Sequence, residues 1–277
     1  MSNILCMSVS KINSTDKLEY NKQLGANNTY KLYEAMSEIV IHSAETFIQE
    51  DFDIVVFEDE VNSYQEIFHK NFSSVHETWK TDGPNNILFL DCDTLVVSPV
   101  NVFGQFDRFQ MFNYTDPKIL SGNDSKNKYK LMFDHYFNAG VRYYPNTMPN
   151  ELWDLGWSYA KDWDYNIWGT EQIIFNQMMY SQDPHVRTWL KPEMNFQAMN
   201  VPFHDIDNRG LQDYLREWNG IHMNNAKIMH LHGTRGADNT VLLQWELWRR
   251  ITGEEFEFSG IEVIKDSNGK PSGINIK

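Results

Sequence analysis

Apolar positions alternate along the first third of this chain between unbroken runs and a helical rhythm. Asn3 to Ser10 is an almost continuous apolar run with β-branched members, which predicts a strand covered on both faces. A polar stretch through Asn13, Ser14, Thr15 and Asp16 follows. From Thr29 to Gln49 the apolar residues Leu32, Met36, Ile39, Val40 and Phe47 recur near helical spacing. Phe52 to Phe57 (FDIVVF) predicts a second buried strand, and Tyr64 to Trp79 a second helix with Ile67, Phe68 and Val75 inward. The turn residues Asp82-Gly83-Pro84 lead into a third strand, Asn86 to Leu90. Strands separated in this way by helices are the β-α-β-α-β signature of a parallel sheet.

The second half is less regular. Phe109 to Asn113 and Phe137 to Tyr144 read as strands, with a polar loop from Thr115 to Lys130 between them. Trp153 to Asp162 and Thr170 to Tyr180 read as helices, the latter with Ile173, Ile174, Gln177 and Met178. A short strand, Ala226 to Leu231, precedes an amphipathic helix, Val241 to Ile251. Asn268-Gly269 between Phe258–Ile264 and Ile274–Ile276 is a hairpin signal. With no internal repeat or linker, the expected organisation is one α/β domain over 1–252 and a β-hairpin appendage over 253–277.

Composition narrows the ligands. A chain of 277 residues, 41% hydrophobic, buries enough surface to fold without disulfides or structural zinc. Lys and Arg number 24 against 38 Asp and Glu, a net charge of −14. That balance argues against nucleic-acid partners and against docking on an anionic membrane. It leaves room for an anionic ligand held through a divalent cation, which reverses the local sign. Cys6 and Cys92 lie in apolar runs and are expected as reduced thiols. The apolar run Ile4–Val9 is too short for a signal-peptide core, and no stretch approaches about 18 apolar residues. The expectation is a cytoplasmic protein without a transmembrane anchor, in which the N-x-S/T triplets at Asn27, Asn71 and Asn113 are chance matches.

The segment FLDCDTLVVSP, Phe89 to Pro99, carries the most chemistry. An apolar strand ends at Asp91, and Asp93 follows two residues later. Ligands of open α/β sheets collect at the carboxyl ends of strands. Two carboxylates placed there reach one Mg²⁺ or Mn²⁺, which in turn suits phosphate oxygens. A bare D-x-D is often a pair of solvated acids; the apolar run on both sides of this pair favours a site. In AKIMHLHG, Ala226 to Gly233, strand alternation puts His230 and His232 on one face, and a neutral imidazole is a suitable third ligand. By itself such a His is more often an ordinary hydrogen-bonded residue.

Together these segments resemble glycosyltransferases of the GT-A fold, and most closely the family-8 retaining enzymes, which include glycogenin and lipooligosaccharide galactosyltransferases. FLDCDTLVVSP resembles that family's D-x-D strand. YFNAGV (Tyr136–Val141) resembles its F-N-[AS]-G-V motif, TEQIIFN (Thr170–Asn176) its D-Q-x-x-h-N helix start, and KIMHLHG (Lys227–Gly233) its h-h-H-F-x-G motif. All four stand in family order. The resemblance implies a Rossmann-like fold with a mostly parallel mixed sheet flanked by helices. It implies transfer of a hexose, with retention, from a nucleotide-diphosphate sugar such as UDP-glucose or UDP-galactose to a glycan, lipid-linked or protein acceptor.

Site roles follow from the resemblance motif by motif. Asp91, Asp93 and His230 match the ligands of Mn²⁺ (or Mg²⁺), and Asp91, Cys92 and Asp93 border the donor diphosphate. Asn138, Ala139 and Gly140 match residues lining the donor sugar and acceptor edge, and Gly140 would let a ligand approach the backbone. Glu171 and Gln172, where the family has Asp and Gln, would bind sugar hydroxyls or lie beside the anomeric carbon. With Asn138 they are the candidate catalytic residues. His232 matches a variable position. Gly233 and Arg235 complete the donor set, because the family's diphosphate-gripping Lys is replaced here by Gly236 and Arg235 is the nearest cation. Lys80, at a helix end before the D-x-D strand, faces either the donor or solvent. The loop Thr115–Lys130 is a candidate lid, and Trp163, Tyr165 and Trp168 are either a sugar platform or packing. Two other readings stay open: a nucleotide-sugar-binding module without turnover, and a haloacid-dehalogenase-type phosphatase. The latter needs Thr or Val where Leu95 stands, and normally has its D-x-D on the first strand.

Overall fold

The computed structural model describes residues 2–12, 26–115, 136–162, 170–183, 185–186, 191–197, 225–231 and 236–277. Strands β1 (Asn3–Ile12), β2 (Asp53–Val61) and β3 (Asn86–Leu90) alternate with helices α1 (Ala26–Phe47) and α2 (Tyr64–Lys80). The first strand pairs in parallel with β2 on one side and β3 on the other. Strand alternation distributes its apolar run over both faces. Leu5 and Met7 pack with Val40 and Ala44 of α1, while Ile4 and Cys6 pack with Phe68, Phe72 and Val75 of α2. Ser63 caps α2 by accepting from the Glu66 N–H, and the Glu66 carboxylate accepts from the Asn62 N–H, close to a capping box.

Beyond β3 the strands are short: β4 (Thr94–Val96), β5 (Gln110–Met111), β6 (Tyr114–Thr115), β7 (Tyr136–Phe137) and β8 (Val141–Tyr144). Strand β8 pairs antiparallel with β3 and with β5, so the main sheet runs β2-β1-β3-β8-β5 with its D-x-D strand at the centre. Helices α3 (Asn150–Asp162) and α4 (Thr170–Gln182) join α2 on one face, where Trp153, Ile174, Phe175 and Met178 meet Phe89. A smaller sheet is formed by β4, β9 (Phe196–Gln197) and β10 (Ile228–His230), in the order β4-β10-β9. Helix α5 (Ala237–Thr252) closes over it with the N-terminal half of α1, burying Leu32, Met36, Leu95, Met229, Val241 and Trp245 together. This mixed sheet flanked by helices, parallel in its β2-β1-β3 part, is the α/β arrangement expected of the GT-A class.

The terminal hairpin, β11 (Ile261–Lys265) and β12 (Pro271–Ile276), packs Ile261, Val263, Ile274 and Ile276 on that second cluster. Its turn runs from Asp266 to Lys270, where the Asp266 carboxylate accepts from the Asn268 and Lys270 N–H groups. Among the described residues no helix is long and apolar enough to cross a membrane.

Two local features shape the site, the first a departure from the sequence expectation and the second one that the sequence reading did not assign. The run Phe137 to Tyr144 is not one strand, because the chain leaves the ladder at Asn138–Gly140. There the Asn138 side-chain oxygen accepts from the Gly140 N–H at 2.9 Å, a local turn that competes with pairing. The apolar run after Asp93 is a separate strand, β4, which leaves the main sheet and pairs with β10.

Candidate functional site

At the carboxyl end of β3 the chain turns sharply. The Asp91 N–H donates to the Gly140 carbonyl at 2.9 Å, and the Asp91 carbonyl accepts from the Thr94 N–H at 3.1 Å and its hydroxyl at 2.8 Å. Gln244 of α5 holds the same turn from behind, donating through Nε2 to the carbonyls of Cys92 and Thr94, both at 2.8 Å. The Asp93 carbonyl accepts from the Leu231 N–H at 2.8 Å, which ties the turn to the end of β10. Antiparallel register sets Thr94 opposite His230, and His230 Nε2 lies 3.1 Å from Asp93 Oδ1.

One ligand atom from each of Asp91, Asp93 and His230 lies within 4.8 Å of the others. Ligands about 2.1 Å from a shared cation stand at most about 4.2 Å apart, so closing on an ion needs only a small contraction. The two carboxylate side chains are 41% and 30% exposed, whereas His230 is buried. The residues therefore fit a divalent ion, with two oxygen donors and an imidazole supplied by protein and an open side left for other oxygens. Burial pushes the Cys92 thiol well above its ordinary range, with Asp93 and Asp91 adding to the push, and its side chain packs against the core.

Charge coupling is visible in the proton affinities. Protein surrounds the Asp91 carboxyl closely enough that desolvation raises it above the ordinary range; Arg142 opposes that rise most strongly, Asp93 adds to it and His230 opposes it. For His230, burial alone acts downward, but the charge and hydrogen bond of Asp93, with Asp91 beyond, outweigh it and hold the imidazole above its usual value.

The Asn138–Gly140 break lies against this turn. Asn138 Oδ1 is taken by the Gly140 N–H and by Asn195 Nδ2 at 3.3 Å, leaving the Asn138 amide nitrogen as the group available to a ligand. The Ala139 N–H donates to Gln172 Oε1 at 3.4 Å. Gln172 and Glu171 stand in the first turn of α4, which Asn176 anchors to β7 by accepting from the Phe137 N–H and donating to the carbonyls of Phe137 and Gln172. A β-carbon on residue 140 would stand 2.1 Å from His230 Cε1, so the group lying closest over Gly140 is that imidazole.

Thus Asp91, Cys92, Asp93, Asn138, Ala139, Gly140, Gln172 and His230 come together, with Glu171 beside Gln172. His232, Gly233, Arg235, the aromatics Trp163, Tyr165 and Trp168, and residues 116–130 of the expected lid lie outside the described residues. Gly236 adopts φ 99° and ψ 150°, a backbone that a Lys rarely adopts. Lys80 pairs with Glu77 at 2.6 Å, at the end of α2 that feeds the start of β3 and so away from Asp91. Sequence reasoning gave no role to Arg142, Gln244 or Asn195. The available signal was polarity out of place: an Arg inside VRYY and a Gln on the apolar face of α5.

No family model and no curated protein matches the sequence. Among solved structures, the apo form of the bifunctional glycosyltransferase WbbM matches 90% of this chain with a TM-score of 0.49 at 14% identity. The chain spans 52% of WbbM, about half its length. The galactosyltransferase LgtC, in complex with donor and acceptor sugar analogues, matches 90% of this chain and 96% of its own with a TM-score of 0.43 at 15% identity.

Proposed function

We propose that the chain is a metal-dependent glycosyltransferase that moves a hexose from a nucleotide-diphosphate sugar, UDP-glucose or UDP-galactose, to a glycan, lipid-linked or protein acceptor with retention of configuration. The observation that carries this reading is the convergence of Asp91, Asp93 and His230 on one point at the carboxyl end of the central strand. The neighbouring Asn138 break and α4 N-terminus offer amide groups beside that point. A phosphatase of the haloacid-dehalogenase type is disfavoured, because the acids follow the third strand in chain order and a buried His shares their site. The catalytic unit is taken as 1–252 with the 253–277 hairpin packed on it. The free thiols Cys6 and Cys92 fit a reducing, cytoplasmic setting.

When bound, a Mn²⁺ or Mg²⁺ ion supplies charge neutralisation for a departing diphosphate. Asp91 and Asp93 hold that charge at the strand end, and His230 completes the protein's donor set from the second sheet. The Asn138 amide nitrogen donates to a sugar hydroxyl and so orients the sugar, and the Gln172 side-chain oxygen steadies positive charge developing at the anomeric carbon. Glu171, one residue earlier on α4, is proposed to bind a sugar hydroxyl. Donor-dependent UDP release, measured with UDP-glucose and UDP-galactose in Mn²⁺ across an acceptor panel, tests the reading. Tight UDP binding without release under any condition would instead favour a binding module, and absence of both would refute the assignment.

A further inference from the structure

Arg142 is the charged residue of β8, and its side chain is only 9% exposed. Strand register sets it opposite Phe89, two residues before Asp91. Its guanidinium carbon lies 4.0 Å from the Phe89 ring centroid and 4.5 Å from that of Phe175, so α4 and β3 each contribute a ring that packs against it. Nη2 stands 3.7 Å from Asp91 Oδ1, an ion-pair distance too long for a hydrogen bond. Nε is buried without a hydrogen-bond partner among the described residues.

A buried cation with so few hydrogen bonds is costly to the fold. The aromatic contacts offset part of that cost and restrict the guanidinium plane. Restricted in this way, Arg142 cannot swing far when another cation approaches Asp91. The electrostatic consequences have opposite signs. An ion arriving alone at Asp91, Asp93 and His230 is repelled by Arg142 and must share Asp91 with it. An anion arriving on that ion meets an extra positive charge, in a chain whose residue 236 is Gly rather than Lys.

We propose that Arg142 is a positioning residue and fixed counter-cation that makes the Asp91–Asp93–His230 site hold a divalent ion weakly by itself and firmly together with a diphosphate. This rests on the donor-site reading above. A purely structural Arg142 would have a different signature, since loosening the site weakens both ligands together.

Calorimetric titration of Mn²⁺ alone, and of UDP at saturating Mn²⁺, separates the two. Arg142→Met is expected to bind Mn²⁺ about tenfold more tightly and UDP about tenfold more weakly, as removal of one nearby unit charge implies. Arg142→Lys, which keeps the charge, stays near the wild-type Mn²⁺ affinity. Arg142→Gln serves as a second charge-removing variant should the Met variant not fold. Equal or weaker Mn²⁺ binding in a folded neutral variant overturns the proposal. Asp93→Asn, expected to abolish Mn²⁺ binding, is the control for the site itself. If the wild type takes up no Mn²⁺, the metal reading fails and this proposal with it; binding that is lost in Asp93→Asn and unchanged in Arg142→Met refutes this proposal alone.

Discussion

Gly140 and His230 fit together only because residue 140 has no side chain: an added β-carbon would stand 2.1 Å from His230 Cε1 and 2.5 Å from Nδ1. Those are interatomic overlaps that the buried imidazole cannot relieve by moving into solvent. Gly140→Ala is therefore expected to push His230 away from Asp93 and to destabilise the fold by about 1–3 kcal/mol, in the range of overpacking substitutions. Mn²⁺ affinity should drop by about 10–100-fold, as for loss of ligand positioning. Thermal melts with and without Mn²⁺ provide the check. A variant with wild-type Mn²⁺ stabilisation would mean that His230 is not held by this contact.

Removing a ligand separates stability from metal response. Asp93 lies 3.1 Å from His230 and is 30% exposed, so Asp93→Asn keeps the shape of the site while removing its charge. The expected result is a folded protein whose melting temperature no longer responds to Mn²⁺ or to EDTA. Donor turnover should fall by on the order of 100-fold or more, since the neutralising charge at the leaving group is lost. Retained Mn²⁺ dependence of turnover would place the ion elsewhere.

Acidification acts on the same cluster with a defined sign. His230 titrates above its ordinary 6.5, and Asp91 above its ordinary 3.8. In the metal-free protein each raised group favours the protonated folded state. Each contribution is present in full below the unfolded pKa and fades as pH rises through the folded value. Metal binding needs the deprotonated forms, so it has the reverse dependence. Melting curves should show Mn²⁺ stabilisation shrinking as pH is lowered from above 6.5, while the metal-free protein loses the His230 contribution as pH is raised over that interval. In His230→Gln the metal-free slope near neutrality should flatten. An unchanged slope would assign the titration to another group.

Much of this arrangement is legible in the chain because β1 and β3 are apolar runs that must be covered on both faces. The D-x-D turn is legible for the same reason: Asp91 and Asp93 interrupt an apolar run that must end where solvent begins. Strand β2, which reads as buried over FDIVVF, is instead the half-exposed edge strand of the sheet and carries Glu58, Asp59 and Glu60. Local chemistry hid other parts. Asn138 turns back on the Gly140 N–H and splits an apolar stretch that reads as one strand. Strand β4 is apolar and contiguous with the D-x-D turn, so nothing in its residues announces that it leaves the main sheet for β10. The roles of Arg142 and Asn195 depend on partners distant in sequence, Phe175 for one and Asn138 for the other, which no spacing rule connects.

Gln244 is a similar long-range residue, and it offers the sharpest test of how the D-x-D turn is held. Its side chain is fully buried, and Nε2 spans the carbonyls on either side of Asp93. Gln244→Leu preserves approximate volume but leaves those carbonyls without their donor, at a cost of about 1–3 kcal/mol. The melting temperature should fall by about 2–4 °C per kcal/mol in a domain of this size. Gln244→Glu is closer in shape, yet when ionised it sets a charge against two carbonyl oxygens, so it should be the more damaging of the pair. A steric role alone predicts the opposite order. Because Cys92 and Thr94 flank Asp93, both variants should also weaken Mn²⁺ binding by about tenfold or more. Wild-type Mn²⁺ affinity in a folded Gln244→Leu protein would show that the turn keeps its ligand geometry without the clamp.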